Sequence, residues 1–122
     1  MTSRALRGAI TVEENTREDI LKGTALLLNE IINKNSIVQE DMISIIFTLT
    51  QDLNATFPAV AAREAGLTEV PLMCMQEIPV AGSLPKCIRI LLHYNTDKKN
   101  SELKHIYLKG ATVLRPDITS DK

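Results

Sequence analysis

The segment 42–50, MISIIFTLT, constrains the fold more than any other part of this chain. It is a nearly unbroken run of apolar and β-branched residues, the pattern of a strand covered on both faces inside a sheet. A central strand needs neighbours, and 87–94 supplies one: Cys87, Arg89, Leu91 and His93 alternate with Ile88, Ile90, Leu92 and Tyr94. Both of its faces are again mostly apolar, and a single arginine sits among them.

Helices and turns fit around these strands. The segment 5–12 is short and β-compatible, and it ends where Thr16 and Asp19 form a capping-box pattern. In the helix that follows, Ile20, Leu21, Thr24, Leu27, Leu28, Ile31 and Ile32 share one face, while Glu18, Lys22, Asn29 and Asn33 take the other. Residues 33–36 read as a turn. Pro58 can open a short helix through Ala59, Ala61, Ala62 and Arg63, closed by Gly66. A strand over 70–77 follows, then a connection marked by Pro79, Gly82 and Pro85. Residues 97–100 form a polar turn, 101–104 a helical turn, and 105–114 a last strand with a bulge at Gly110. Residues 116–122 read as a loose C-terminal tail. The order is β-α-β-α-β-β-β. It predicts a single α+β domain over 1–122, a mixed β-sheet with one long and one short helix on one face. The sheet's other face stays apolar, and association between subunits is its natural cover.

Composition narrows the chemistry. Fourteen Lys and Arg against fifteen Asp and Glu give a net charge of -1, too weak a field to draw in nucleic acid or an anionic membrane. There is no Trp and only 3% aromatic residues, so the stacking platforms of a single-strand binder are absent. No apolar run approaches the roughly 18 residues of a membrane span, and no secretory signal is evident. Cys74 and Cys87 are too few and too far apart for a disulfide framework or a C-x-x-C site; they are expected to be free thiols in the cytoplasm. His93 and His105 lack the spacing of a helical zinc pair, so no metal is expected, and no cofactor-binding glycine motif occurs.

What remains are anion-binding groups. Arg7, Arg63, Arg89 and Arg115 stand out by context. Arg89 needs an anionic partner if its strand is buried on both sides, and Glu77 or a place on an edge strand would satisfy it structurally. Strict alternation puts Cys74 and Gln76 on one face, Met75 and Glu77 on the other, so a site shared by Cys74 and Glu77 demands a bend between them. Tyr107 is either core or a hydroxyl donor. No nucleophile and base pair up anywhere in the chain.

In this order the residues resemble the monofunctional AroH-class chorismate mutases. The likeness runs over nearly the whole chain, in RGAITVEENT from Arg7, FPAVAAREA from Phe57, VPLMCMQE from Val70, KCIRI from Lys86 and HIYLKGATVLRPD from His105. Val60 stands where the family often has Lys, and Met73 where Thr is common. The resemblance implies three subunits forming a pseudo-α/β barrel, a homotrimer with interfacial sites. It also implies the Claisen rearrangement of chorismate to prephenate, the isomerase step towards phenylalanine and tyrosine, with no cofactor. Such a reaction needs a held conformation and charge stabilisation rather than a nucleophile. By resemblance Arg89 donates to the ether oxygen and a carboxylate, and Arg7 with Tyr107 holds the enolpyruvyl carboxylate. Glu77 accepts the ring hydroxyl, with Cys74 near the ring. Leu72, Met73, Met75 and Gln76 line the ring pocket by their backbone, while Phe57, Ala59, Arg63, Leu114 and Arg115 wall it or attract the dianion. An imine deaminase of the YjgF type and a non-catalytic binding trimer are the competing readings; the blocks 74–77 and 107–116 fit the first less well, and the retained set Arg7, Glu77, Arg89 and Tyr107 argues against the second.

Overall fold

The computed structural model describes residues 1–119. Its elements are β1 (Thr2–Thr11), α1 (Arg17–Asn35), β2 (Met42–Leu49), α2 (Ala59–Glu64), β3 (Leu72–Gln76), β4 (Cys87–Thr96), β5 (Ile106–Leu108) and α3 (Pro116–Thr119). Single 3-10 segments stand at Gln39–Asp41, Asn100–Glu102 and Lys109–Leu114. The strands make one mixed sheet in the order β3, β2, β4, β1, β5. β4 holds the middle, antiparallel to β1 and β2, and the edge strands β3 and β5 run parallel to their neighbours. The α+β expectation therefore holds, with β2 an inner strand beside the central one.

The Thr16 hydroxyl starts α1 by accepting the Asp19 N–H at 3.1 Å, and the Asp19 carboxylate reaches back to the Glu14 N–H at 3.0 Å. The helix does not stop at the expected turn over 33–36. It runs on to Asn35 and closes with Ser36 in the left-handed region (φ 53°), where the Ile37 N–H donates to the Ile32 carbonyl at 3.0 Å. The reason is Asn35, a buried residue whose amide donates to the Ile31 and Lys104 carbonyls, both at 2.9 Å, and so keeps the last turn helical.

One face of the sheet carries the core. Ile20, Leu27, Leu28 and Ile31 of α1 pack over Leu6 and Ile10 of β1, joined by Ile45, Phe47, Ile88, Ile90 and Leu92. Gly8 makes this approach possible, because a Cβ there would lie 2.8 Å from Ile31 Cδ1 and 2.9 Å from the Ile106 carbonyl. The opposite face has no helix over it. It bears a small cluster of Ala9, Cys87, Tyr107 and Ala111, flanked by Leu84 and Leu114, and is otherwise open. Among the described residues, no helix is long and apolar enough to cross a membrane.

The last strand departs from expectation. Only Ile106–Leu108 pairs with β1, over Gly8 to Ile10, and Lys109 then turns to φ 54° and starts the 3-10 segment. Gly110 is not a bulge. Its N–H donates to Thr11 Oγ1 at 2.9 Å, and a Cβ there would sit 2.8 Å from the same oxygen. Of the tail expected to be loose, 116–119 contains a short helix, and 120–122 lies outside the described residues.

Candidate active site

The uncovered sheet face collects five polar side chains from five segments. Arg7 on β1, Thr48 on β2, Glu77 just beyond β3, Arg89 on β4 and Tyr107 on β5 line one cavity of about 170 Å³. Sheet register explains the convergence. Arg89 lies opposite Thr48 on one side and Ala9 on the other, and Ala9 in turn lies opposite Tyr107. Arg7 is two residues from Ala9, on the same face. Glu77 is held at the sheet edge by its N–H, which donates to the Leu49 carbonyl at 2.8 Å.

The five form a group of three and a pair. Arg89 Nε stands 3.4 Å from Glu77 Oε2, and the Thr48 hydroxyl donates to that same oxygen. Arg7 Nη2 donates to the Tyr107 hydroxyl at 3.4 Å. Arg89 belongs to an interior strand, so the edge-strand alternative fails, but its side chain is 42% exposed because it leaves the sheet on the open face. It thereby avoids the cost of full burial. The ion pair with Glu77 exists, and the site is built around it. Nε itself is buried and makes no hydrogen bond of good geometry among the described residues, so Glu77 meets Arg89 as a charge rather than as an aligned acceptor.

Two neighbouring groups, Cys87 and Arg115, are shifted by their surroundings. Burial pushes the Cys87 thiol up, by more than the neighbouring Arg89 lowers it, so Cys87 is a protonated wall and no nucleophile. Arg115 donates through Nε and Nη2 to Asp117 at 3.1 and 3.0 Å; that pairing, with a smaller contribution from Tyr107, raises it above the usual arginine range. Leu114 packs beside Tyr107.

The remaining candidates gather elsewhere. β3 pairs with β2 residue for residue over Leu72–Gln76, so the bend between Cys74 and Glu77 that a shared site demands is not present. Cys74 and Leu72 face the helix-covered core, and Glu77 the open side. Cys74, Met75 and Gln76 instead line a second cavity of about 390 Å³ with Phe57, which is 67% exposed. Ala59 is buried in α2, and Arg63 and Met73 are exposed. Val60, one of the two departures from the family pattern, is half-buried there.

Two polar residues escaped the sequence reading. Thr48 is one; its signal was a hydroxyl alternating with Ile46 on one face of an apolar strand. The other is His105, whose Nδ1 accepts the Arg7 backbone N–H at 3.0 Å.

Sequence and fold both match known proteins. The family model for chorismate mutase type I matches residues 3–118. The chain is 48% identical over 118 residues to the chorismate mutase AroH of Thermus thermophilus, covering 96% of this chain and 97% of that one. It is 45% identical over 123 residues to the Bacillus subtilis chorismate mutase AroH, covering 100% of this chain and 97% of the other. A solved chorismate mutase from Clostridium thermocellum superposes with a TM-score of 0.89 at 55% identity, over 90% of this chain and 98% of that one. A family match over nearly all of its length, carried by a fold that groups two arginines, a carboxylate and a tyrosine on one open face, means that the chain belongs to the type I chorismate mutases.

Proposed function

We propose that this chorismate mutase rearranges chorismate to prephenate on the open sheet face, at a site that a second copy of the chain completes, in a homotrimer with three such sites. One observation carries the reading: Arg7, Thr48, Glu77, Arg89 and Tyr107 converge on a single cavity that is unroofed within one chain.

The chemistry follows from the groups present. In the rearrangement the ether C–O bond breaks as a new C–C bond forms, and the ether oxygen becomes the ketone oxygen of the pyruvyl side chain. Electron density builds on that oxygen in the transition state while the ring becomes electron-poor. The outer N–H groups of Arg89 donate to the oxygen, where a preorganised donor is worth about 3–4 kcal/mol. Arg7 and Tyr107, already joined through their side chains, hold the enolpyruvyl carboxylate and with it the compact reactive shape. Glu77 has Oε2 occupied by Thr48 and Arg89, which leaves Oε1 for the ring hydroxyl and sets a negative charge beside the ring.

The second copy supplies the other half: Phe57 and Arg63, and the strand 72–76 with Cys74; Ala59, expected at the wall, is buried in the core instead. Two facts support this division. Cys74 and Glu77 face opposite sides of one strand, and the open face carries Ile46 and Leu91 without a cover. Arg63 and Arg115 lie at the rim and attract the dianion. The proposed setting is the cytoplasmic route to phenylalanine and tyrosine.

The test follows chorismate loss by ultraviolet absorbance, with no added metal or cofactor, for the wild type, Arg89→Ala, Arg63→Ala and a mixture of the two variants refolded together. Fast loss in the wild type with prephenate as product is expected, together with weak single variants. The mixture should regain activity, about a quarter of wild type if intact halves meet at random. A mixture no better than its components would overturn the shared site, and loss at the spontaneous rate in the wild type would overturn the activity.

A further inference from the structure

Arg7 sits where β1 loses a neighbour. On its β5 side, β1 pairs only from Gly8 to Ile10, so the backbone N–H of Arg7 lies one residue beyond the end of the ladder. The acceptor it finds is a side chain, Nδ1 of His105, at 3.0 Å. His105 directly precedes β5, and the residue before it is tied to the far side of the sheet. The buried Asn35 amide donates to the Lys104 carbonyl at 2.9 Å, and its Oδ1 accepts the Lys104 N–H at 2.9 Å. Lys98 Nζ in turn donates to the Asn35 carbonyl at 2.9 Å. A rigid helix end thus fixes Lys104, Lys104 presents His105, and His105 holds the backbone of Arg7.

We propose that His105 is a positioning residue for Arg7, its imidazole completing the β1 edge as the unprotonated acceptor and so setting the guanidinium beside Tyr107 for the substrate carboxylate. The proposal rests on the reading of Arg7 as a carboxylate-holding group.

The bond dictates the state of the ring. Nδ1 accepts, so the proton of the neutral form is on Nε2, and a doubly protonated ring can accept nothing. The surroundings favour the neutral form. Burial lowers the His105 pKa below the usual range, and the cations Arg115 and Arg7, reaching it from two separate segments, lower it further. Lys104 is its cationic chain neighbour, Tyr107 follows on β5, Asn35 packs from α1 without charge, and Asp117 is engaged with Arg115. The sign follows: a depressed folded-state pKa keeps the bond intact at neutral pH, and the bond is lost only as pH falls through that lowered value, below the ordinary imidazole range.

The experiment measures KM and kcat for chorismate between pH 5 and 9 in the wild type, His105→Asn and His105→Leu. Asn places Oδ1 where the ring has Nδ1, and it does not titrate. Loss of one such bond should raise KM roughly threefold to tenfold in His105→Leu at pH 7.5, with kcat changed less. His105→Asn should keep KM near wild type and abolish the rise in KM that the wild type shows on acidification. Should His105→Leu fail to fold, the wild-type and His105→Asn pH profiles still decide. An equally steep acid rise in both, or a KM in His105→Asn as high as that of a folded His105→Leu, overturns the proposal. Arg7→Ala run alongside separates the two failures: an unchanged KM there overturns the reading of Arg7, whatever His105 does.

Discussion

On the proposed reading, Arg89 is the residue on which turnover should depend most. A typical enzyme lowers its barrier by at least about 8 kcal/mol, and one aimed donor supplies less than half of that, so Arg89 acts in a set. Arg89→Ala should lower kcat by roughly a hundredfold or more, read from chorismate loss at saturating substrate. Arg89→Lys should rescue little, because a point ammonium cannot serve an ether oxygen and a carboxylate with one planar fork. Thr48 offers a finer contrast. Its hydroxyl occupies Glu77 Oε2, so Thr48→Val should lower kcat by roughly threefold to tenfold and Thr48→Ser should keep most of it; a loss in Thr48→Ser with none in Thr48→Val would mean that bulk, not the hydroxyl, matters. Arg7, Glu77, Arg89 and Tyr107 were legible in the chain because each bears charge or a hydroxyl inside a recognisable block. Thr48 and His105 were not, because each acts on another residue across the sheet, and only register reveals which residue that is.

Periodicity revealed most of the elements because burial is periodic. α1 follows its apolar stripe, and β4 its alternation, to within a few residues. The misses occur where a single side chain overrides the pattern. α1 outruns its expected end because Asn35 finds buried partners, and β5 stops early because Lys109 adopts a left-handed conformation that its residue type does not advertise. The packing of α1 on β1 gives a prediction at this scale. Gly8→Ala drives a methyl into Ile31 Cδ1 and into the Ile106 carbonyl, and the second is backbone and cannot rotate away. The variant should be less stable by about 1–3 kcal/mol, measured as a lower urea midpoint with an unchanged slope. A wild-type midpoint would mean that α1 and β5 do not bear on β1 as closely as these distances state.

The fold of one chain leaves its sheet half-covered, and the same face that lacks a helix holds the polar groups of the site. Both facts have one cause: among the described residues the two helices that pack on the sheet, the long α1 and the six-residue α2, lie on the same side. An open antiparallel face is ordinarily polar, yet this one presents Ala5, Ile46 and Leu91 between its charged residues. The proposed covering by further copies would remove that surface from water and at the same time exclude solvent from Arg89 and Glu77, which would strengthen their field at the ether oxygen. Assembly and turnover should therefore fail together. Ala5 tests this without touching the cavity, since it lies on the same face but opposite His93, away from Arg89. In Ala5→Asp a carboxylate would have to lose its water inside the surface that the proposed assembly covers, at a cost that a stable interface cannot absorb. The variant should keep a wild-type circular dichroism spectrum, scatter light as a single chain at micromolar concentration, and lose nearly all chorismate turnover. If it scattered as a trimer with normal turnover, the face would not be the one that the copies share. If it were a single chain with full turnover, one copy would suffice for the chemistry and the division of the site between two would be wrong.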